Sequence, residues 1–149
     1  FARHVGTTPG ANTTVITYGQ LGTMVDRFAG AFLKLGVQPG DVVTIQLPNS
    51  WEFPALVFGA MRAGAIPNPV PHIYRERELS FMLRHARSAV YIVQSEFKGY
   101  SYRDLGLRLA PTLPDLKHLV TIGGNAGDTV DFTDFFVRPL HEYDDGVPA

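Results

Sequence analysis

The sequence contains no cysteine, which excludes disulfides, thiolate metal sites and a cysteine nucleophile. Lysine is scarce too: Lys34, Lys98 and Lys117 are the only three, and none stands in a Gly/Ser/Thr-rich stretch. There is no Gly-Lys-Ser/Thr phosphate loop and no glycine spacing of the dinucleotide-binding kind. No apolar run approaches the ~18 residues of a membrane-spanning helix, and no apolar leader follows Phe1-Ala2-Arg3-His4. The formal net charge is −1 without a basic stripe, so nucleic acid is not an expected partner. These absences leave a cytoplasmic protein with no membrane span as the expectation.

What is present is ordinary for a folded domain. Of the 149 residues, 45% are hydrophobic and 18% charged, enough to bury one core. The chain starts without methionine and stops at Gly146-Val147-Pro148-Ala149. Both ends read as cuts, so residues 1–149 are expected to be one α/β subdomain of a larger enzyme, with 138–149 a tail or linker towards the remainder.

Periodicity supplies the order of elements. Thr13 to Thr17 is a short β-favouring run, and Thr17 with Gln20 has the spacing of a helix capping box. Leu21, Met24, Val25, Phe28, Ala29, Phe32 and Leu33 then recur at helical spacing, and Gly36 is placed to end that helix. Val42 to Leu47 is a strand by composition. The next helix, about Trp51 to Ala63, is apolar nearly all round and predicted to be well buried, with Asn49 or Ser50 as its cap. Ala65 to Val70 is extended, but its prolines confine it to a short or edge strand. A helix over Glu76–Ala86, a strand over Ala89–Val93, a helix starting at Ser101 with Asp104 behind it, and a strand over Leu119–Ile122 follow. Residues 131–136 read as a short helix or turn. Strands alternating with helices over long connections call for right-handed crossovers. The fold class is therefore α/β, a mostly parallel sheet with helices packed on it, and the first strand is free to pair antiparallel elsewhere.

Parallel sheets place ligand sites beyond the carboxyl ends of their strands. The loops there are Leu47–Ser50, Val70–Arg75, Gln94–Ser101 and Gly123–Asp128. Gly123-Gly124 comes nearest to a phosphate cradle, but no lysine or hydroxyl-rich helix start follows, and a surface loop accounts for it. Helix capping accounts for Asn49 and Ser50. Arg75-Glu76-Arg77-Glu78 reads as a hydrated turn, and Asp144-Asp145 as a solvated linker rather than a carboxylate dyad. Asn12-Thr13-Thr14 matches a glycosylation sequon without a secretory context. His4 and His141 lie near the ends, His85 on the solvent side of its helix, and His118 before a strand; none has metal-ligand spacing. His72 follows Pro71 in a strand-end loop, so it stands as either a structural histidine or a substrate contact. No residue qualifies as catalytic.

The order of short motifs goes further. Thr17-Tyr18-Gly19-Gln20-Leu21, Leu35-Gly36-Val37-Gln38-Pro39-Gly40-Asp41-Val42-Val43, Gln46-Leu47-Pro48-Asn49-Ser50 and Ala60-Met61-Arg62-Ala63-Gly64-Ala65 occur in that order. Arg75-Glu76-Arg77-Glu78-Leu79, Phe97-Lys98-Gly99-Tyr100-Ser101-Tyr102 and Leu113-Pro114-Asp115-Leu116-Lys117-His118 come behind them. Together they resemble the opening of the AMP-forming acyl-CoA synthetases, near the cyclohexanecarboxylate-CoA ligases and the 2,3-dihydroxybenzoate–AMP ligases. The resemblance implies a two-step ligase that makes an acyl-AMP from a carboxylic acid and passes the acyl group to a thiol, in a setting such as fatty acid metabolism. It implies ATP, Mg and CoA for the full enzyme. The Thr-Ser-Gly-Thr-Thr-Gly-like loop of such enzymes does not occur here, so no catalytic, cofactor or metal residue is carried over and the stretch alone is expected to be inactive. Its expected partners are the remainder of the enzyme, the carboxylic acid and a second subunit of a homodimer, with His72 towards the acyl side. The rival reading is a stand-alone flavodoxin-like binding or interaction module.

Overall fold

The computed structural model describes residues 2–3 and 15–138. The sequon, His4, His141, Asp144-Asp145 and all of the expected tail but Arg138 lie outside them. Two short strands, β1 (Ala2–Arg3) and β2 (Val15–Ile16), pair antiparallel as a separate ribbon. The main body is built from β3 (Val42–Gln46), β4 (Ile66–Pro69), β5 (Ser88–Gln94), β8 (His118–Ile122) and β9 (Val130–Asp131). They form one sheet in the order β4-β3-β5-β8-β9, and every pairing is parallel. A small hairpin, β6 (Glu96–Phe97) and β7 (Tyr100–Ser101), projects beyond β5.

Helices α1 (Tyr18–Lys34) and α2 (Glu52–Arg62) pack on one face of the sheet, and α3 (Glu76–His85) and α4 (Tyr102–Leu109) on the other. Strand alternation makes this possible. Val43, Ile45, Val90 and Ile92 enter the α1/α2 core with Met24, Phe28 and Phe32, while Tyr91 and Val93 enter the α3/α4 core with Leu79, Leu83 and Leu105. A π-type turn over Thr133–Val137 folds Phe132 and Phe136 back against Phe28, with ring centroids 5.6 and 5.5 Å away.

Several local signals act as the sequence implies. Thr17 Oγ1 accepts from the Gln20 N–H at 3.2 Å while Gln20 Oε1 accepts from the Thr17 N–H at 2.8 Å, a complete capping box. Ser101 Oγ accepts from the Asp104 N–H at 3.1 Å. Gly59 lets α2 close on α1, because a Cβ there would stand 2.8 Å from Phe28 Cβ.

Two expectations are corrected. α2 is not buried all round: Phe58 is 49% and Met61 56% exposed, because one side of the helix packs on α1 and the sheet while the other lines an open groove. That groove encloses about 640 Å³ and includes Tyr18, Leu21, Val25, Phe58 and Met61. Neither Asn49 nor Ser50 caps α2 through its side chain; the backbone carbonyl of Ser50 takes the Phe53 N–H at 3.3 Å instead.

Candidate substrate-side loop at the carboxyl edge of the sheet

The chain leaves β3 through α2 to reach β4 on one side, then crosses back to β5 on the other. The switch point of this doubly wound sheet therefore lies between β3 and β5, where open α/β sheets take ligands beyond the strand ends. The strand order is that of flavodoxin-like sheets, which gives the rival reading its one structural support. Here, however, the chain lays its own loop across the switch point.

That loop, residues 70–75, carries the path from β4 to α3 and is tied down from below and from the side. Gln46, the last residue of β3, is 1% exposed. Its Nε2 donates to the carbonyls of Pro71 at 2.9 Å and Tyr74 at 3.1 Å. Its Oε1 accepts from the Tyr91 hydroxyl at 2.5 Å. Each of these polar groups is thereby satisfied, as burial requires. Burial raises the Tyr91 pKa well above its ordinary value, with Tyr102 and Tyr100 adding to the rise and Arg75 opposing it. Tyr91 is a neutral donor.

From α4, the Tyr102 hydroxyl donates to the His72 carbonyl. Arg75 Nη1 donates to that same carbonyl at 2.7 Å, to the Tyr74 carbonyl at 3.1 Å and to the Tyr102 hydroxyl oxygen at 3.0 Å. The guanidinium carbon lies 4.1 Å from the Tyr100 ring centre and 5.1 Å from that of Tyr102, close enough for cation–π attraction. The hydrated turn read from the sequence is thus right for Glu76, Arg77 and Glu78, which are exposed, and wrong for Arg75. Arg75 is packed because the tyrosines it needs arrive from a hairpin and helix more than twenty residues away, which no local pattern signals.

His72 is partly exposed in this loop, its ring edge-on to Phe97 with centroids 5.1 Å apart. Beside it Ile73 is 67% exposed, a contact surface that sequence reasoning did not single out. Phe97 is positioned by the β6/β7 hairpin, whose turn residues Lys98 and Gly99 have φ of 50° and 72°. Positive φ at both central positions is the geometry that matches strand twist in two-residue hairpins. Lysine in place of asparagine at the first of them hides that turn in the sequence.

The remaining candidates scatter. Lys98 lies over the Phe97 ring at 5.4 Å, Lys117 pairs with Asp41 at 3.4 Å, and Lys34 ends α1. His118 opens β8 and bonds the Leu35 carbonyl through Nε2 at 2.8 Å, and exposed His85 stacks on Phe81. Arg103 Nε donates to the Ala126 carbonyl at 3.0 Å, pinning the glycine loop after β8. Glu52 Oε2 is buried without a hydrogen-bond partner among the described residues; it lies in the first turn of α2, where the helix dipole favours a carboxylate. Among the described residues no group of three or more His, Asp or Glu is gathered as a metal site.

Known proteins resemble this doubly wound sheet in sequence and in fold. Triostin synthetase I from Streptomyces triostinicus is 38% identical over 118 residues, which is 79% of this chain and 21% of that protein. The 2,3-dihydroxybenzoate-AMP ligase of Bacillus subtilis (strain 168) is 34% identical over 124 residues, 83% of this chain and 23% of that protein. The anthranilate CoA ligase AuaEII, solved with anthranoyl-AMP, superposes with a TM-score of 0.75 at 29% identity, covering 83% of this chain and 23% of that one. The model of the AMP-binding enzyme family matches residues 3–134, and the chain belongs to that family. It spans less than a quarter of the length of each of these relatives. The match favours the ligase reading over the flavodoxin-like module.

Proposed function

We propose that the protein containing this chain is an AMP-forming ligase that activates a carboxylic acid, with aromatic acids the favoured class. The observation that carries this is the 34% identity, over 83% of the chain, to a 2,3-dihydroxybenzoate-AMP ligase. The superposition on an anthranilate CoA ligase points the same way. Aryl acids thus replace the fatty acid setting first expected.

In the proposed reaction a carboxylate oxygen attacks the α-phosphorus of ATP and pyrophosphate departs. A thiol, such as that of CoA, then attacks the acyl carbon and AMP leaves. Magnesium bound with ATP would supply charge neutralisation at the phosphates. This chain's own residues form one subdomain that supports the acid site: the sheet sets the strand ends, and the 70–75 loop turns His72 and Ile73 outward. The His72 ring, braced by Phe97, is the proposed contact with the acid. The α1/α2 groove is the surface proposed for contact with the remainder of the enzyme; cytoplasmic location and a homodimer complete the proposal.

The test is acid-dependent exchange of pyrophosphate into ATP by the full-length protein, run over benzoate-type and aliphatic acids. Exchange driven by hydroxy- or amino-substituted benzoates is expected. No exchange with any acid overturns the ligase reading, and exchange with aliphatic acids alone overturns the aryl preference.

A further inference from the structure

We propose that Arg75 is a positioning residue, a latch that holds the 70–75 loop across the switch point and so fixes where His72 and Ile73 stand against the acid. This rests on the ligase reading above.

The loop must travel from the edge strand β4, past the end of β3, to helix α3 on the opposite face. A connection of this kind is ordinarily among the more mobile parts of a fold. Here three side chains from three other elements, Gln46 of β3, Tyr91 of β5 and Tyr102 of α4, converge beneath it. Gln46 and Tyr102 bond loop carbonyls directly, and Arg75, at the loop's own end, ties His72 and Tyr74 to Tyr102 as well. Among the described residues no carboxylate lies within ion-pair reach of its guanidinium, so its charge is directed to the His72 and Tyr74 carbonyls and to two tyrosine ring faces. A planar fork can stack and donate at once, which a lysine ammonium cannot do.

The consequence falls on His72. Its carbonyl accepts from both Tyr102 and Arg75, so the backbone is pinned at the residue whose partly exposed ring lies edge-on to Phe97. Rigid support beneath a contact residue is what binding and orientation demand. The presented surface is an imidazole, an exposed isoleucine and a phenylalanine edge. That chemistry suits the ring of an aryl acid.

The experiment uses the full-length enzyme with Arg75→Met, Arg75→Lys and Tyr102→Phe. Amide hydrogen exchange over residues 70–75 reports the latch directly, and KM values for acid and for ATP in pyrophosphate exchange report its purpose. Arg75→Met is expected to speed exchange in 70–75 while β3 and β5 stay protected. The KM for the acid should rise about tenfold, equivalent to ~1.4 kcal/mol of binding, while that for ATP changes less than about twofold. Arg75→Lys should not restore it. Tyr102→Phe, which removes one hydroxyl and keeps the ring, should give a smaller shift in the same sense and serves if Arg75→Met fails to fold. A loosened loop with an unchanged acid KM overturns the proposal, as does an unchanged loop or an equal rise in both KM values. Wild-type protein inactive with every acid sinks the ligase reading itself; active wild type with an indifferent Arg75→Met sinks the latch alone.

Discussion

On the face of the sheet that carries α1 and α2, Phe28, Phe32, Phe132 and Phe136 interlock edge to face and stack, with Val43, Ile45, Val90 and Ile92 beneath them. On the face that carries α3 and α4, the same two central strands present Thr44, Gln46 and Tyr91, all buried. The first face is held by area removed from water and by ring contacts, which are non-directional or weakly directional. The second has an apolar core of its own around Leu79, Leu83 and Leu105, and adds to it hydrogen bonds with fixed partners: Thr44 with Ser88 at 2.6 Å, Asn68 onto Thr44 at 3.1 Å, and the Gln46 cluster. A dispersion-packed face tolerates small shifts. A face of mutually satisfied polar groups specifies one geometry, because each unmade bond is costly. The loop that carries His72 is anchored to the second.

Three measurements would break or sharpen that contrast. The largest effect is expected from Phe28→Ala, which empties the centre of the aromatic cluster and should cost about 3–5 kcal/mol in urea denaturation. A loss under about 1 kcal/mol would mean that this face is not where stability resides. Tyr91→Phe is expected to cost less, about 1–3 kcal/mol, since it leaves the buried Gln46 Oε1 without its donor. The same variant carries a pH signature. The folded pKa of Tyr91 lies above its ordinary 10.0, so above that pH the unfolded chain has shed a proton that the folded one keeps. The Tyr91 contribution is therefore fully present below pH 10 and declines as pH rises, with a slope approaching ~1.4 kcal/mol per pH unit. The Tyr91→Phe substitution should remove that slope, and an alkaline limb identical to wild type would contradict the buried, neutral tyrosine. The smallest effect is expected from Asp26→Ala. It breaks a 2.7 Å pair with Arg62 whose side chains are 60% and 62% exposed, a geometry that contributes below about 1 kcal/mol in water.

Much of the fold was legible locally. The capping box at Thr17, the glycine after α1, the Ser101 cap and the β-favouring runs each rest on neighbours in sequence, and the structure realises them. The site was legible only in outline. That His72 occupies a strand-end loop follows from Pro71 and the preceding extended segment; that its carbonyl is clamped by Arg75 and Tyr102 does not. The apolar circumference of α2 misled because composition shows what can be buried, and not which side finds a partner.

By itself the sequence determined the α/β class, the order of the four helices and of β3, β4, β5 and β8, and the lack of a phosphate-binding lysine loop, because periodicity, caps and residue inventory are local properties; the β6/β7 hairpin and β9 it did not signal. Only the tertiary structure decided the strand order, the position of the switch point and its closure by the chain's own loop. Those depend on residues 25 to 45 positions apart meeting in space, such as Gln46 with Pro71 and Tyr91. Whether Arg75 lies in water or between tyrosines was settled in the same way, by long-range contacts that no local spacing encodes.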